Sequence, residues 1–110
     1  MKRVDLDPRP ERREAFSLRR EKFVPTTSGC YVLTTFSEEV LYVGLAKNLR
    51  QRMNDHLDND EKRALTGNGR AIFFYWLERD DIEKVERTWM NTHIQYESTL
   101  PILNKVFSPT

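Results

Sequence analysis

Residues 29–44 read Gly-Cys-Tyr-Val-Leu-Thr-Thr-Phe-Ser-Glu-Glu-Val-Leu-Tyr-Val-Gly, and this stretch decides the fold of the chain. Its two apolar parts, 30–36 and 40–43, are rich in aromatic and β-branched residues, which favour a pleated strand. The polar residues 37–39 separate them. Two short strands joined by such a polar break predict an antiparallel β-hairpin, which ends at Gly44.

A helix and a polar loop are predicted after the hairpin. Asn48 is a residue type that favours the N-cap of a helix, and the pattern predicts that this helix extends from Leu49 to about Leu57. Residues 58–70 are polar and contain sequences typical of turns. We expect them to form a mobile loop.

The second half of the chain predicts one strand and one long helix. Residues 71–77 form an almost continuous apolar run of strand length, which indicates a central strand buried on both faces. Asp80 with Glu83 three residues later resembles a capping box. The helix that it opens extends to about Glu97, and its apolar residues recur at spacings of three, four and seven: Ile82, Val85, Trp89 and Tyr96.

The element order β-β-α-β-α predicts an α/β (α+β) fold, a small sandwich in which helices flank a three-stranded, mainly antiparallel sheet. Pro101 stops the long helix, and we expect residues 102–106 to lie against the core as an extended segment. The chain is long enough for one hydrophobic core and too short for two ordinary domains. We therefore assign residues 28–110 to one domain.

Residues 1–27 are interpreted as a charged N-terminal arm. We expect residues 1–9 to be a loose tail and predict a helix from Pro10 to about Phe23, because proline suits a first helical turn. The first 23 residues contain eight basic and five acidic side chains. A solvated arm and an arm that grips nucleic acid both fit this composition.

The composition of the chain excludes several classes of protein. No apolar run approaches the roughly 18 residues of a membrane span, and no apolar segment follows the basic N-terminus as in a secretory signal. The single cysteine, Cys30, excludes an internal disulfide and favours a reducing, cytoplasmic location. The 18 basic and 17 acidic residues nearly balance, whereas nucleic-acid-binding proteins usually have a basic excess.

Glu86 is a carboxylate on the apolar side of the long helix. At about 100° per residue it lies about 40° from Ile82, close to the direction of the core-facing residues. Burial of an unpaired carboxylate costs several kcal/mol, so Glu86 needs a cation, a metal ion or hydrogen-bond donors. A salt bridge to an arginine or lysine is the alternative to a metal site.

Arg52 and His56 are neighbours on one side of the first helix, because they are four residues apart. Arginine offers a planar fork that matches a phosphate, and histidine titrates near neutral pH. The pair can therefore form an anion site beside the apolar stripe, or the two side chains can simply extend outward into solvent. Tyr31 and Tyr42 lie in the adjoining strands of the hairpin, where packing is the usual role of tyrosine.

These residues together resemble the signature of the GIY-YIG endonucleases. The matching segments are Gly29-Cys30-Tyr31, Tyr42-Val43-Gly44 after a ten-residue gap, and Lys47-Asn48-Leu49-Arg50-Gln51-Arg52. Glu86 of the later helix and Asn104 near the end complete the set. Each tripeptide is weak alone, but the ordered set is specific and covers about residues 28–106.

The resemblance implies a role for each matching residue. Tyr31 and Tyr42 correspond to the two motif tyrosines and Arg52 to the catalytic arginine of the family. His56 matches a histidine that only some branches carry. Glu86 corresponds to the one protein ligand of a divalent metal ion, Mg²⁺ or Mn²⁺, and the resemblance gives Asn104 a supporting role.

Two residues depart from the pattern of the family. Cys30 replaces the usual aliphatic residue in a core position, which is a mild change. Leu45 stands where the excision-repair branch has a lysine, so the local hydrogen bonds of that branch cannot be assumed for this chain.

The resemblance implies a metal-dependent endonuclease that hydrolyses phosphodiester bonds of DNA. In this hypothesis Glu86 holds the ion and Arg52 stabilises the transition state, while Tyr31 or Tyr42 orients or deprotonates the attacking water. His56 is the partner that receives or shares that proton, and the pairing with Tyr31 is favoured. Loops of the chain, or a partner protein, direct it to DNA; the oligomeric state stays open. A non-catalytic nucleic-acid-binding or adaptor module of the same fold is the main alternative, and a protein-interaction domain is a third.

Overall fold

A computed structural model describes residues 1–104. The predicted extended segment 102–106 is wrong at residues 102 and 103, which form a turn, and its residues 105 and 106 lie outside the described residues. Within residues 1–104, four antiparallel strands form one sheet in the order β1-β4-β2-β3. The strands are β1 (Arg12–Ala15), β2 (Gly29–Thr34), β3 (Val40–Ala46) and β4 (Phe73–Glu78). The α-helices are α1 (Leu49–Leu57), α2 (Asp60–Arg63) and α3 (Ile82–Glu97), and 3₁₀ turns occur at Arg3–Asp5 and Glu21–Phe23.

The hairpin of β2 and β3 is present as the sequence predicts. Tyr31 pairs with Gly44 and Leu33 with Tyr42, and the register shifts between Leu33 and Thr34. The strand 71–77 is also present, as β4, and it pairs with β2 on its other side. Because β2 lies between β3 and β4, all six of its residues are buried.

Helices cover both faces of the sheet, as the sandwich prediction requires. Successive residues of a strand point to opposite faces. The face of Cys30 and Val32 packs on α3, mainly on Val85, Trp89 and Met90. The face of Tyr31 and Leu33 packs on α1, mainly on Leu49, Met53 and Leu57.

The predictions of a three-stranded sheet and of an N-terminal helix are wrong. Residues 12–15 form β1, which pairs with the edge of β4 that β2 leaves open. The guanidinium of Arg12 lies over the Trp76 ring and that of Arg13 over the Phe73 ring, at 5.9 and 4.3 Å from the ring centroids. Main-chain pairing and these cation–π contacts outweigh the weak local helix pattern.

The description of residues 1–9 as a loose tail is also wrong, since Met1 and Leu6 are buried in the core on the α3 face. Residues 58–70 are not wholly a loop. They contain α2, whose N-cap Asn59 accepts hydrogen bonds from the backbone of Glu61 and Lys62. With β1 and α2 added, the order β-β-α-β-α becomes β-β-β-α-α-β-α.

The longest helix among residues 1–104 is α3, with 16 residues, and no helix in this part of the chain is both long and apolar enough to cross a membrane.

Candidate active site

The two motif glycines are explained by close packing around the hairpin. A Cβ atom on Gly44 would lie 2.5 Å from the Tyr31 hydroxyl oxygen, and one on Gly29 would lie 2.4 Å from the main-chain oxygen of Leu77. Both distances are far too short for any side chain. Gly44 therefore leaves the space in which the phenol of Tyr31 lies across the neighbouring strand.

Tyr31 is the centre of a buried aromatic group. Its ring stacks on Phe74 and Tyr42, with centroids 4.8 and 5.9 Å apart. Its hydroxyl lies 2.5 Å from Nε2 of His56, which α1 presents to the same face of the sheet. His56 follows Arg52 by four residues, and α1 thus brings it into hydrogen-bonding contact with the motif tyrosine.

Burial keeps His56 neutral. Desolvation, together with the positive charges of Lys62 and Arg52, lowers the pKa of His56 to about 3. A neutral imidazole can accept a proton at one nitrogen. Nε2 is therefore available to accept the hydrogen bond that the Tyr31 hydroxyl donates.

The Tyr31 phenol is protonated at neutral pH. Desolvation raises its pKa well above the usual value, and the nearby Tyr42 adds to this, whereas the adjacent Arg52 acts in the opposite direction. Arg52 can only donate hydrogen bonds, and neutral His56 can accept one. The phenol thus lies between a donor and an acceptor, which is an arrangement suited to passing a proton.

Arg52 connects this centre to an open cleft. Its Nη1 donates a 3.1 Å hydrogen bond to the main-chain oxygen of Leu45, at the end of β3. Because Leu45 contributes its main chain, the departure from the lysine of the excision-repair branch does not disturb this anchor. The cleft has a volume of about 490 Å³ and is lined by Leu45, Lys47, Asn48, Gln51, Arg52, Asp55, Ile82 and Glu83.

Glu86 lies on α3, one turn after the Ile82–Glu83 wall of the cleft. It is 1% exposed, and in the described part of the chain its carboxylate has no hydrogen bond or ion pair. Desolvation raises its pKa to about 7. It approaches β2 at Cys30, whose thiol donates to the oxygen of Ile82 and whose pKa burial raises to about 12.

A buried carboxylate without a partner fits a cation. The salt bridge considered for Glu86 is absent among residues 1–104. In the same part of the chain, no group of three or more His, Cys, Asp and Glu side chains is placed to hold a metal ion. Any ion at Glu86 would thus have fewer than three such side chains of residues 1–104 as ligands and would need water or substrate oxygens for the rest.

Asn104 has a positioning role in this structure. Its Oδ1 accepts from the nitrogen of Val43 and its Nδ2 donates to the oxygen of Val43, both at 2.9 Å. The side-chain amide thus completes the open edge of β3 between Tyr42 and Gly44. It fixes the strand that carries the second tyrosine.

Four of the six predicted residues come together directly: Tyr31, Tyr42, Arg52 and His56. Asn104 supports their strand, and Glu86 approaches from the helix on the other face of the sheet. Sequence reasoning missed Lys62, whose ammonium lies 4.9 Å from the Tyr42 ring centroid. The signal for it in the sequence is Asn59, an N-cap residue before a short run of charged residues within the predicted loop.

Comparison with known proteins identifies the family of the chain. The model of the GIY-YIG catalytic domain family matches residues 27–99, about two thirds of the chain. The chain belongs to this family. The matched range contains both tripeptides, α1 and Glu86 of the GIY-YIG domain, and family membership supports a nuclease function.

Curated relatives of this GIY-YIG domain carry the name UvrABC system protein C. The protein from Aster yellows witches'-broom phytoplasma is 30% identical over 80 residues, which are 69% of this chain and 14% of that protein. The protein from Bdellovibrio bacteriovorus is 33% identical over 66 residues, 56% of this chain and 10% of its own length. The one from Borreliella burgdorferi is 48% identical over 33 residues, 30% of this chain and 6% of its own. The chain thus spans about one seventh or less of these relatives.

Proposed function

We propose that the chain is a divalent-metal-dependent endonuclease that hydrolyses phosphodiester bonds of DNA. The observation that carries this proposal is the buried Tyr31 hydroxyl, placed between neutral His56 and the guanidinium of Arg52. Arg52 also lines the open cleft, where a phosphate can reach it. Family membership supports the reaction class.

The proton route uses the aromatic centre. As water attacks the phosphorus, the Tyr31 oxygen accepts a proton from the water while its own proton moves to Nε2 of His56. An ordinary tyrosine is too weak an acid to work as a free phenolate at neutral pH, so the coupled transfer is needed. A phosphate anion close to His56 raises the pKa of the imidazole and makes it a better acceptor.

Arg52 stabilises the charge of the transition state. Its anchor on the oxygen of Leu45 fixes the guanidinium before substrate binds, so little reorganisation is needed during the reaction. Glu86 would hold one Mg²⁺ or Mn²⁺, which when bound supplies positive charge to the scissile phosphate and the leaving oxygen.

The test is cleavage of a labelled DNA duplex and of supercoiled plasmid by wild type, Arg52→Ala and Glu86→Gln, with Mg²⁺ or Mn²⁺ and with EDTA. We expect EDTA to abolish cutting and Arg52→Ala to lose about 10²–10³-fold in rate. Arg19→Ala, which removes an exposed arginine, is the control and retains full activity.

Two results would contradict the proposal. If Arg52→Ala and Glu86→Gln cut like the wild type, the assignment of the site is wrong. If the wild type binds DNA but never cuts it with either metal ion, the chain is the non-catalytic binding module considered above.

The route by which the chain reaches its substrate is a separate proposal. One reaction centre cuts one strand, so a double-strand break requires two copies of the chain or two successive encounters. Because the relatives are much longer proteins, we propose that a partner or additional protein segment contributes to targeting. Comparison of linear, branched and single-stranded substrates would show how much the chain selects by itself.

A further inference from the structure

The segment between α1 and β4 places positive charge beside the aromatic centre. The Lys62 ammonium lies over the Tyr42 ring, and its charge contributes to the lowered pKa of His56. Lys62 is therefore close enough to the reaction centre to act on a charged substrate there. Nothing in the motif itself requires a basic residue at this position.

A second cavity is bordered by Arg63, the residue of α2 that follows Lys62. It has a volume of about 560 Å³ and is lined by Phe16, Asp60, Arg63, Arg70, Ala71 and Ile72. Lys62 and Arg63 are consecutive, so their side chains leave the helix about 100° apart. One therefore points to the aromatic centre while the other borders the cavity.

The cavity carries net positive charge. Neither Arg63 nor Arg70 forms an ion pair with a carboxylate in the described part of the chain, whereas Arg3, Arg20 and Arg79 do. Arg63 has a weak hydrogen bond, 3.5 Å long, to the oxygen of Leu57. Asp60 opposes the two guanidinium groups with one negative charge, which leaves one positive charge in excess.

A nucleic-acid phosphate matches this chemistry. Guanidinium groups bind phosphate oxygens through two parallel donors, and both arginines are exposed. The flat ring of Phe16 forms part of the wall, where a base or sugar can pack. Because α2 joins the cavity to the Tyr42 ring, a strand whose scissile phosphate lies at the reaction centre can continue across α2.

We propose that α2 and Arg70 form a substrate track: Arg63 and Arg70 bind a phosphate of the DNA strand beside the one that is cut, and Lys62 lies between the two phosphates. This proposal rests on the proposed function. It adds a binding site for the flanking strand that lies outside the motif residues.

The test compares Arg63→Ala/Arg70→Ala with the wild type by fluorescence anisotropy of a labelled duplex in EDTA over a series of salt concentrations. We expect about tenfold weaker binding by the variant. The slope of log affinity against log salt concentration, called the salt slope below, should be smaller by about 1–2. At saturating DNA with Mg²⁺, the cutting rate should stay close to that of the wild type, since KM changes and kcat does not.

The matched control is Arg9→Ala/Lys84→Ala, which removes the same charge. Both residues are exposed and belong to the side of the sheet that α3 covers, since the oxygen of Pro8 accepts a hydrogen bond from Trp89. The control should bind with the wild-type salt slope. Replacement of both Arg63 and Arg70 by lysine should keep most of the wild-type salt slope but only part of the wild-type affinity.

The outcomes distinguish this proposal from the proposed function. If the wild type binds and cuts DNA but the arginine variant keeps its salt slope, only the substrate track is overturned. If the wild type neither binds nor cuts DNA, both proposals fail. Labelled polyglutamate serves as a second probe in the same assay. If Arg63→Ala/Arg70→Ala loses the polyglutamate binding of the wild type but keeps its DNA salt slope, the cavity binds an acidic protein partner and the track is overturned.

Discussion

Tyr31 and His56 share a hydrogen bond inside the core, and burial decides the protonation of both. A phenol and an imidazole in water would titrate near pH 10 and 6.5. In the folded chain desolvation moves these pKa values apart, upward for Tyr31 and downward for His56. Both groups are therefore neutral over a wide pH range, and Tyr31 stays the donor and His56 the acceptor of the hydrogen bond between them.

His56 should make the folded chain sensitive to mild acid. Its pKa is about 3 when folded and 6.5 as the ordinary value, so between these limits the unfolded chain binds a proton that the folded chain does not. The free energy of unfolding therefore falls as pH drops below 6.5, by about 2 kcal/mol at about pH 5. We expect His56→Gln to remove this loss, as measured by urea unfolding at several pH values.

The comparison of the wild type with His56→Gln isolates the contribution of the histidine to the pH dependence of stability. The pKa of Glu86 is raised to about 7, so this carboxyl stabilises the folded chain as the pH falls over part of the same range. Because Glu86 is present in both proteins, its effect cancels in the comparison. If the wild type and His56→Gln show the same pH dependence, His56 is not held neutral by burial.

Tyr31→Phe should separate the hydroxyl from the ring. The phenyl ring keeps the stacking on Phe74 and Tyr42, but buried Nε2 of His56 loses its donor, so stability should fall by about 1–3 kcal/mol. Cleavage should fall about 10²-fold or more, because the proposed proton route is lost. Tyr75→Phe is the control: its hydroxyl accepts from Arg13 on the opposite face, and its activity should be unchanged. Full activity of Tyr31→Phe would remove the phenol from the mechanism.

At the scale of the elements, Gly44 links the hairpin to the proposed reaction centre. A methyl group there would overlap the Tyr31 hydroxyl, so Gly44→Ala must displace the phenol or part the strands. We expect a loss of about 1–3 kcal/mol in stability and a larger loss of cleavage. Gly67→Ala has no atom within 4 Å of the added carbon and should behave as wild type in both assays. Normal cleavage by Gly44→Ala would show that the phenol position is unimportant.

Elements with a strong local pattern were predictable from the sequence. The hairpin, α1, β4 and α3 follow from alternation, helical spacing and caps, and each lies within a few residues of its predicted place. The charged segment that forms β1 could not be found in this way, because its strand conformation comes from pairing with β4. The short helix α2 has a recognisable cap at Asn59, but four residues are too few for a periodic pattern.

The proposed reaction centre shows the same division. The tyrosines, Arg52 and Glu86 could be chosen as candidate residues because the motif fixes their spacing, and helical geometry puts Arg52 and His56 side by side. The contact of Lys62 with Tyr42 depends on how α2 folds back on the sheet, which no local pattern encodes. Placement of the carboxylate of Glu86 relative to Arg52 depends likewise on the packing of two helices around β3.

At the scale of the whole molecule, the N-terminal segment belongs to the core. Leu6 is 2% exposed and packs in the cluster beneath α3, and β1 extends the sheet beyond β4. Trp89 of α3 donates a hydrogen bond to the oxygen of Pro8 at 2.9 Å. Since α3 also carries Glu86, the N-terminal segment helps to fix the helix that presents the proposed metal ligand.

Leu6→Ala should therefore destabilise the entire fold. Removal of a buried leucine side chain costs about 2–5 kcal/mol, depending on how far the site can collapse. Val4→Ala is the matched control, because Val4 is 44% exposed and should cost about 0.5 kcal/mol or less. Urea unfolding measured by both tryptophan fluorescence and circular dichroism should give one coincident transition, shifted for Leu6→Ala alone. If the two variants are equally stable, residues 1–9 are a tail after all, and α3 is positioned by the sheet without them.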